Sequence, residues 1–140
     1  MLRVNSRWSI VHSRWSSLIE LKFMAFKFEN LKVWQSAVDL SGDVSELVKS
    51  FPKDELYVLT SQIKRASDSI SLNIAEGSTG QTTPEFKKFL GYALRSSIEV
   101  VGCLHLAKRR GIISIKDFET YYEKLTELIK GIQALRNSLK

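Results

Sequence analysis

The sequence is poor in the residues that carry most recognisable chemistry. Cysteine occurs once, at Cys103, in 140 residues, which excludes an internal disulfide and a cysteine-based zinc site and suits a reducing compartment. The cytoplasm is the expected location. Histidine occurs twice, as His12 and His105, and proline twice, as Pro52 and Pro84, so long stretches are free of the residue that breaks helices. No apolar run approaches the roughly 20 residues that a membrane-crossing helix requires. The N-terminus also lacks the uninterrupted apolar core of a secretion signal. A soluble protein of one domain is expected, with no membrane partner.

A strong charge of one sign is missing too. There are 21 basic and 15 acidic residues, a formal +6. Half of that excess sits in residues 1–23, where Arg3, Arg7, Arg14 and Lys22 face only Glu20; the remaining 17 basic and 14 acidic residues leave +3 for residues 24–140. A mildly basic surface is compatible with nucleic acid or anionic lipid and requires neither.

Two parts differ in character. Residues 1–23 repeat the triplet Arg-Trp-Ser and space Trp8, Val11, Trp15 and Leu18 three and four apart, as a short basic amphipathic helix would. Met24, however, opens MAFKFENLKVW and reads as a natural first residue. The favoured expectation is therefore a leader in residues 1–23, disordered or outside the native chain, with a membrane or partner-binding arm as the alternative. The folded domain is expected over residues 24–140.

That domain reads as four helices without a convincing strand. The first spans about Glu29 to Ser50, with Leu31, Trp34, Val38, Val44 and Val48 on one side, and stops at Phe51 and Pro52. The second spans about Asp54 to Glu76 along the row Leu56, Leu59, Ile63, Ala66, Ile70, Asn73 and Gly77, and Gly77 reads as its stop. For the third, Thr83 is the expected cap and Pro84 the first helical residue. Its row runs through Phe86, Phe89, Ala93, Ser97, Val100, Leu104 and Ala107 towards Gly111. Ser114 and Asp117 have capping-box spacing ahead of a fourth helix with Phe118, Tyr121, Leu125, Leu128, Ile132, Leu135 and Leu139. Helices of this length joined by short links pack beside their sequence neighbours, so the expected fold is an all-α, antiparallel up-down-up-down four-helix bundle. Interior glycines at 42, 91, 102 and 131 each cost about 1 kcal/mol relative to alanine. Close approach of another helix, or at Gly91 and Gly102 of a neighbouring subunit, is the expected reason.

Asn73 puts an amide on an apolar row. Such a group needs hydrogen-bond partners, and Ser69, Ser96, Ser97 and Glu99 are within plausible reach. The expected structural polar cluster is Ser69, Asn73, Glu76, Ser96 and Glu99, with Asn73 fixing helix register. Glu76 is expected to receive amides from the GSTG loop or to pair with a base.

Catalytic residues are not identified. Cys103 and His105 form a C-x-H step on a helix, which turns the side chains about 200° apart, and no metal cluster, paired-carboxylate motif or phosphate loop is present. No cofactor is called for, and an enzyme is not expected. Basic residues give a positive signal instead. Lys64 and Arg65 are adjacent on the second helix, Lys88, Arg95 and Arg109 share a stripe of the third, and Lys108, Arg109 and Arg110 close it, suiting the negative end of its dipole. These are the candidate contacts to a phosphate backbone. An ordinary solvated face is the competing reading, since Asp68, Glu85 and Glu99 interrupt the field. Phe86, Phe89, Tyr121 and Tyr122 fall mostly on core rows, so base stacking is not expected.

The segments FENLKVWQSAVDL, FPKDELYVLTSQIKRASDSISLNIAEG and EFKKFLGYALRSSIEV, with the heptad-rich last helix, resemble the four-helix bundle proteins encoded in 23S ribosomal RNA intervening sequences. The resemblance covers about residues 27–136, and its most specific marks are Gln62, Arg65, Ser69 and Asn73 to Gly77, with Phe86, Phe89, Leu90, Ala93, Ser96 and Glu99. It implies a left-handed bundle assembled as a ring of five subunits without known enzymatic activity. The related accessory protein of diversity-generating retroelements binds nucleic acid and its reverse transcriptase. By analogy the expectation is RNA or DNA binding by a homo-oligomer; the alternative is a protein adaptor or accessory subunit. Three departures bear on the surface: Ser71 and Leu72 replace a proline-containing step, the loop GSTGQTTPEF is neutral where relatives often carry bases, and Val101 replaces a common glutamate.

Overall fold

The computed structural model describes residues 26–80 and 82–140; every expectation attached to residues 1–23 lies outside the described residues. All regular structure within them is helical. After a 3-10 turn at Lys27–Asn30, α1 spans Lys32–Leu47, α2 Ser61–Ser78, α3 Thr83–Arg109 and α4 Ile115–Ser138. Each helix packs on the next, and α4 closes back on α1. This is the expected antiparallel bundle of sequence neighbours.

The core is a column of aliphatic side chains drawn from all four helices. Leu40 and Val44 come from α1, Ile63, Ile70 and Ile74 from α2, Leu90, Val100 and Leu104 from α3, and Leu125, Leu128 and Ile132 from α4, all essentially sealed from solvent. Each such side chain stabilises the fold by about 1.5–3 kcal/mol on burial. The rows expected for α3 and α4 hold in their central parts. Those expected for α1 and α2 require correction.

In α1 the buried stripe is Ala37, Leu40, Val44 and Leu47, and Val38 is 41% exposed. The small Ala37 holds the core position, and Val38 lies about 100° further round the helix. Before α2, residues Leu56–Thr60 form a π-helical turn. Its wider winding shifts the phase of everything N-terminal to it, so Leu59 is buried while Leu56 is 50% exposed. The buried face of α2 is Ile63, Ala66, Ser67, Ile70, Ser71, Ile74 and Gly77. It includes two serines because their hydroxyls bond within the helix, Ser67 to the Lys64 carbonyl at 2.9 Å and Ser71 to the Asp68 carbonyl at 3.1 Å. Local bonding of this kind removes the cost of burying a hydroxyl.

Helix ends differ in detail from the expected caps. Thr82, one residue before the expected cap, takes the extended conformation and accepts from the Glu85 amide at 3.3 Å. Thr83 and Pro84 are the first two helical residues. Gly77 does not stop α2, which continues to Ser78. Its role is close packing: a β-carbon there would stand 2.5 Å from the Cβ of Phe89. The glycine stop belongs to α3, where Gly111 has φ 69°. The Ile112 amide donates to the Ala107 carbonyl at 2.9 Å and the Gly111 amide to Lys108 at 3.1 Å, a Schellman closure. Ser114 accepts from the Asp117 amide at 3.0 Å, as its spacing predicts.

Polar stitches join neighbouring helices. Tyr121 donates its hydroxyl to the Asp43 carbonyl at 2.7 Å, and Lys124 pairs with the Asp43 carboxylate at 2.7 Å, tying α4 to α1. Burial, then the charges of Asp43, Asp117 and Glu46, push the Tyr121 phenol above its usual range. Ser41 donates to Asp68, tying α1 to α2. Of the interior glycines, Gly131 lies against Val33 and Gly91 beneath Arg136, whereas none of the described residues comes within 4 Å of where a β-carbon would stand at Gly42 or Gly102.

Candidate functional site

The expected polar cluster forms in part, at the α2–α3 seam. Asn73 is half-buried at the edge of the core, and Ile74 takes the central slot. Its amide donates to the Ser69 carbonyl at 2.8 Å and to the Ser69 hydroxyl at 2.9 Å. That hydroxyl meets the Ser96 hydroxyl at 2.9 Å. Asn73 therefore reaches α3 only through Ser69. Ser97 is buried but bonds to the Ala93 carbonyl of its own helix. Glu99 is exposed and accepts from Gln62 at 3.4 Å. Glu76 is exposed and its carboxylate has no partner among the described residues; the GSTG loop contacts its carbonyl instead, through the Thr79 hydroxyl at 2.9 Å. The loop hydroxyl is the donor, so the expected capture of loop amides by the Glu76 side chain does not occur.

The basic candidates separate into three groups. Lys64 and Arg65 are exposed on α2, and Arg65 donates to Ser61 one turn back at 3.1 Å. At the end of α3, Arg109 is exposed, Lys108 lies 4.3 Å from the Phe118 ring centre, and Arg110 pairs with Glu55 at 3.2 Å. That pair fastens the end of α3 to the turn before α2, so Arg110 is a structural contact more than a free cation.

The third group has a cation that the sequence did not reveal. Lys88 and Arg95 stand seven residues apart on α3, about 10 Å along its axis. Between them α4 delivers Arg136, whose guanidinium lies 3.7 Å from where a Gly91 β-carbon would be. The absent side chain at Gly91 leaves room for that arginine and opens a groove of about 370 Å³, lined by Lys88, Gly91, Tyr92, Leu94, Arg95 and Arg136. Among the described residues, none that lines it is acidic. Only the antiparallel pairing of α3 with α4 brings position 136 to position 91, so the mid-helix glycine is the one signal of Arg136 in the sequence. Tyr92 carries no such signal. It is 40% exposed on the groove, with Phe89 packed against it at 5.5 Å and an interplanar angle of 80°.

Two other grooves differ in chemistry. One of about 930 Å³ on the α2–α3 ridge is bordered by Tyr57, Val58 and Leu72 with Gln62, Arg65 and Glu99. It is a mixed surface with exposed apolar ends. The other, about 670 Å³ between α1 and α4, carries Asp39, Asp43, Glu123 and Glu127 against Lys32 and Lys124. Its net negative lining disfavours a phosphate.

Cys103 and His105 fall on opposite sides of α3. Cys103 is 2% exposed, and burial followed by the charge of Glu99 pushes its thiol up to about 11. His105 is on the surface, edge-on to Phe118 at 4.9 Å and to Tyr122 at 6.3 Å. Among the described residues no group of His, Cys, Asp and Glu is arranged to hold a metal ion, and no helix is long and apolar enough to cross a membrane.

Residues 29–134 match the sequence model of the 23S rRNA-intervening sequence protein family. The fold is similar to the crystal structure of a protein of unknown function from the S23 ribosomal protein family of Bacteroides thetaiotaomicron, with a TM-score of 0.71 and 24% sequence identity. That likeness covers 76% of this chain and 96% of the other, and at such identity it shows the fold alone. No curated protein matches the chain.

Proposed function

The chain belongs to the 23S rRNA-intervening sequence protein family, and from that premise we propose that it is a non-enzymatic bundle that assembles with its own copies and holds RNA or another nucleic acid by backbone contacts. One observation carries this reading: Lys88, Arg95 and Arg136 line one groove, to which the described residues bring no carboxylate. Arginine presents a planar fork matched to phosphate oxygens, and an ammonium adds a mobile point charge. Lys64, Arg65, Lys108 and Arg109 extend the basic surface, with Arg109 about 21 Å along α3 from Arg95. Such contacts position a backbone without reading its sequence.

The buried, raised-pKa thiol of Cys103 is a poor nucleophile, which supports a non-enzymatic role. Self-association is supported by Tyr57, Val58 and Leu72, apolar side chains left exposed along one groove, since contiguous apolar surface on a soluble protein commonly marks an interface. Fluorescence anisotropy with labelled RNA of mixed sequence tests the binding reading. Affinity should fall steeply with salt and vary little with sequence; no binding at low salt removes it.

A second reading, a protein adaptor or an accessory subunit to an enzyme such as a reverse transcriptase, is favoured by the same apolar border beside the Gln62–Glu99 bond. Recovery of one stoichiometric protein partner after nuclease treatment would select it.

A further inference from the structure

The groove at Gly91 holds one residue that an electrostatic clamp does not need. Tyr92 lies between the cations on the groove wall. Phe89 packs against it in a T-shaped pair, which restricts the ring, while 40% of the residue stays open. A partly exposed aromatic held in place by a second ring costs little entropy when a flat ligand lands on it, because its pose is already set. Leu94 adds an apolar surface to the same lining. Three cations and one presented aromatic ring share a groove of about 370 Å³, and a duplex, whose bases are stacked away inside, has no base to offer that ring. The groove suits one unpaired nucleotide.

Resting on the nucleic-acid reading above, we propose that this groove is a single-strand site, in which Lys88, Arg95 and Arg136 take the phosphate and Tyr92 stacks on the adjoining unpaired base. Positive grooves with stacking side chains hold single strands with little sequence preference, because every base presents a π-face. The phosphate sets the salt dependence, and the ring sets the choice between single strand and duplex. Separate residues thus carry the two properties.

The test measures anisotropy with a labelled single strand and with a duplex of equal length, across a salt series, for the wild type and for Tyr92→Ala, Tyr92→Leu and Tyr92→Phe. The wild type should prefer the single strand. Tyr92→Ala and Tyr92→Leu should weaken single-strand binding about thirtyfold, the middle of the range for loss of one stacked base, with the salt slope and the duplex affinity unchanged. Tyr92→Phe should bind like the wild type. Tyr92→Leu keeps apolar bulk at 92, so its weaker single-strand binding, while it melts like the wild type, cannot be ascribed to unfolding. Equal wild-type affinity for strand and duplex, or equal losses for both in Tyr92→Ala, would overturn the stacking site and leave backbone binding standing. Absence of binding to either probe at low salt would remove both.

Discussion

A β-carbon at position 77 would stand 2.5 Å from the Cβ of Phe89 and 3.1 Å from the Phe86 ring. The first of these atoms is fixed to the backbone of α3 and cannot swing away. Alanine gains about 1 kcal/mol of helix propensity over glycine, but overpacking of a tight contact costs about 1–3 kcal/mol. Gly77→Ala should therefore be destabilising on balance, lowering the urea midpoint without changing the denaturant slope. A stabilised variant would show that α2 and α3 are free to separate.

Much of the architecture was readable from periodicity, and the misreadings have two causes. In α3 and α4 the large residues Leu104, Leu125 and Ile132 mark the core directly. In α1 and α2 the buried faces also include Ala37, Ser67, Ser71 and Gly77, which carry little hydropathy and so weaken the row. The π-helical turn at Leu56–Thr60 added a phase shift that strict three-four counting cannot follow. The site was less legible than the fold. Lys88 and Arg95 could be placed on one stripe, but Arg136 joins them only through tertiary pairing, and Tyr92 was recognisable as an open ring only once its neighbours were known.

The Asn73–Ser69–Ser96 chain is the local bond network between α2 and α3. Removal of the amide in Asn73→Ala should cost about 1 kcal/mol, as for a typical partly buried hydrogen bond. Because Ser69 relays the contact, a double-mutant cycle with Ser96→Ala should show a coupling of about 0.5 kcal/mol or more. Strict additivity in urea titrations would mean that Asn73 stabilises its own helix only.

Cys103 links stability to alkaline pH. Its thiol is raised from 9.0 to about 11, mainly by burial. A proton that the folded state holds more tightly than the unfolded state stabilises the fold fully below pH 9, and that contribution is lost as pH rises through about 11. Tyr121 shifts in the same direction. The unfolding free energy should decline above pH 9, less steeply in Cys103→Ala. An identical profile in the variant would contradict the buried-thiol account.

Leu72 is 64% exposed on the ridge proposed for self-association. Leu72→Lys should leave the melting of the isolated bundle nearly unchanged, because no core contact is lost, while sedimentation velocity should show monomers in place of an assembled species. Persistence of the wild-type assembly would place the interface elsewhere, with the open surfaces at Gly42 and Gly102 next to be tested.

The most direct measurement is the slope of log affinity against log salt for a single-stranded RNA, in the wild type and in Lys88→Gln/Arg95→Gln/Arg136→Gln. Each phosphate neutralised on a single strand contributes about 0.7 to the slope, so loss of the one phosphate that the three cations share should flatten it by about 0.7. Binding that weakens without a change of slope, or an unchanged affinity, would contradict the assignment of the groove as the site that holds the backbone.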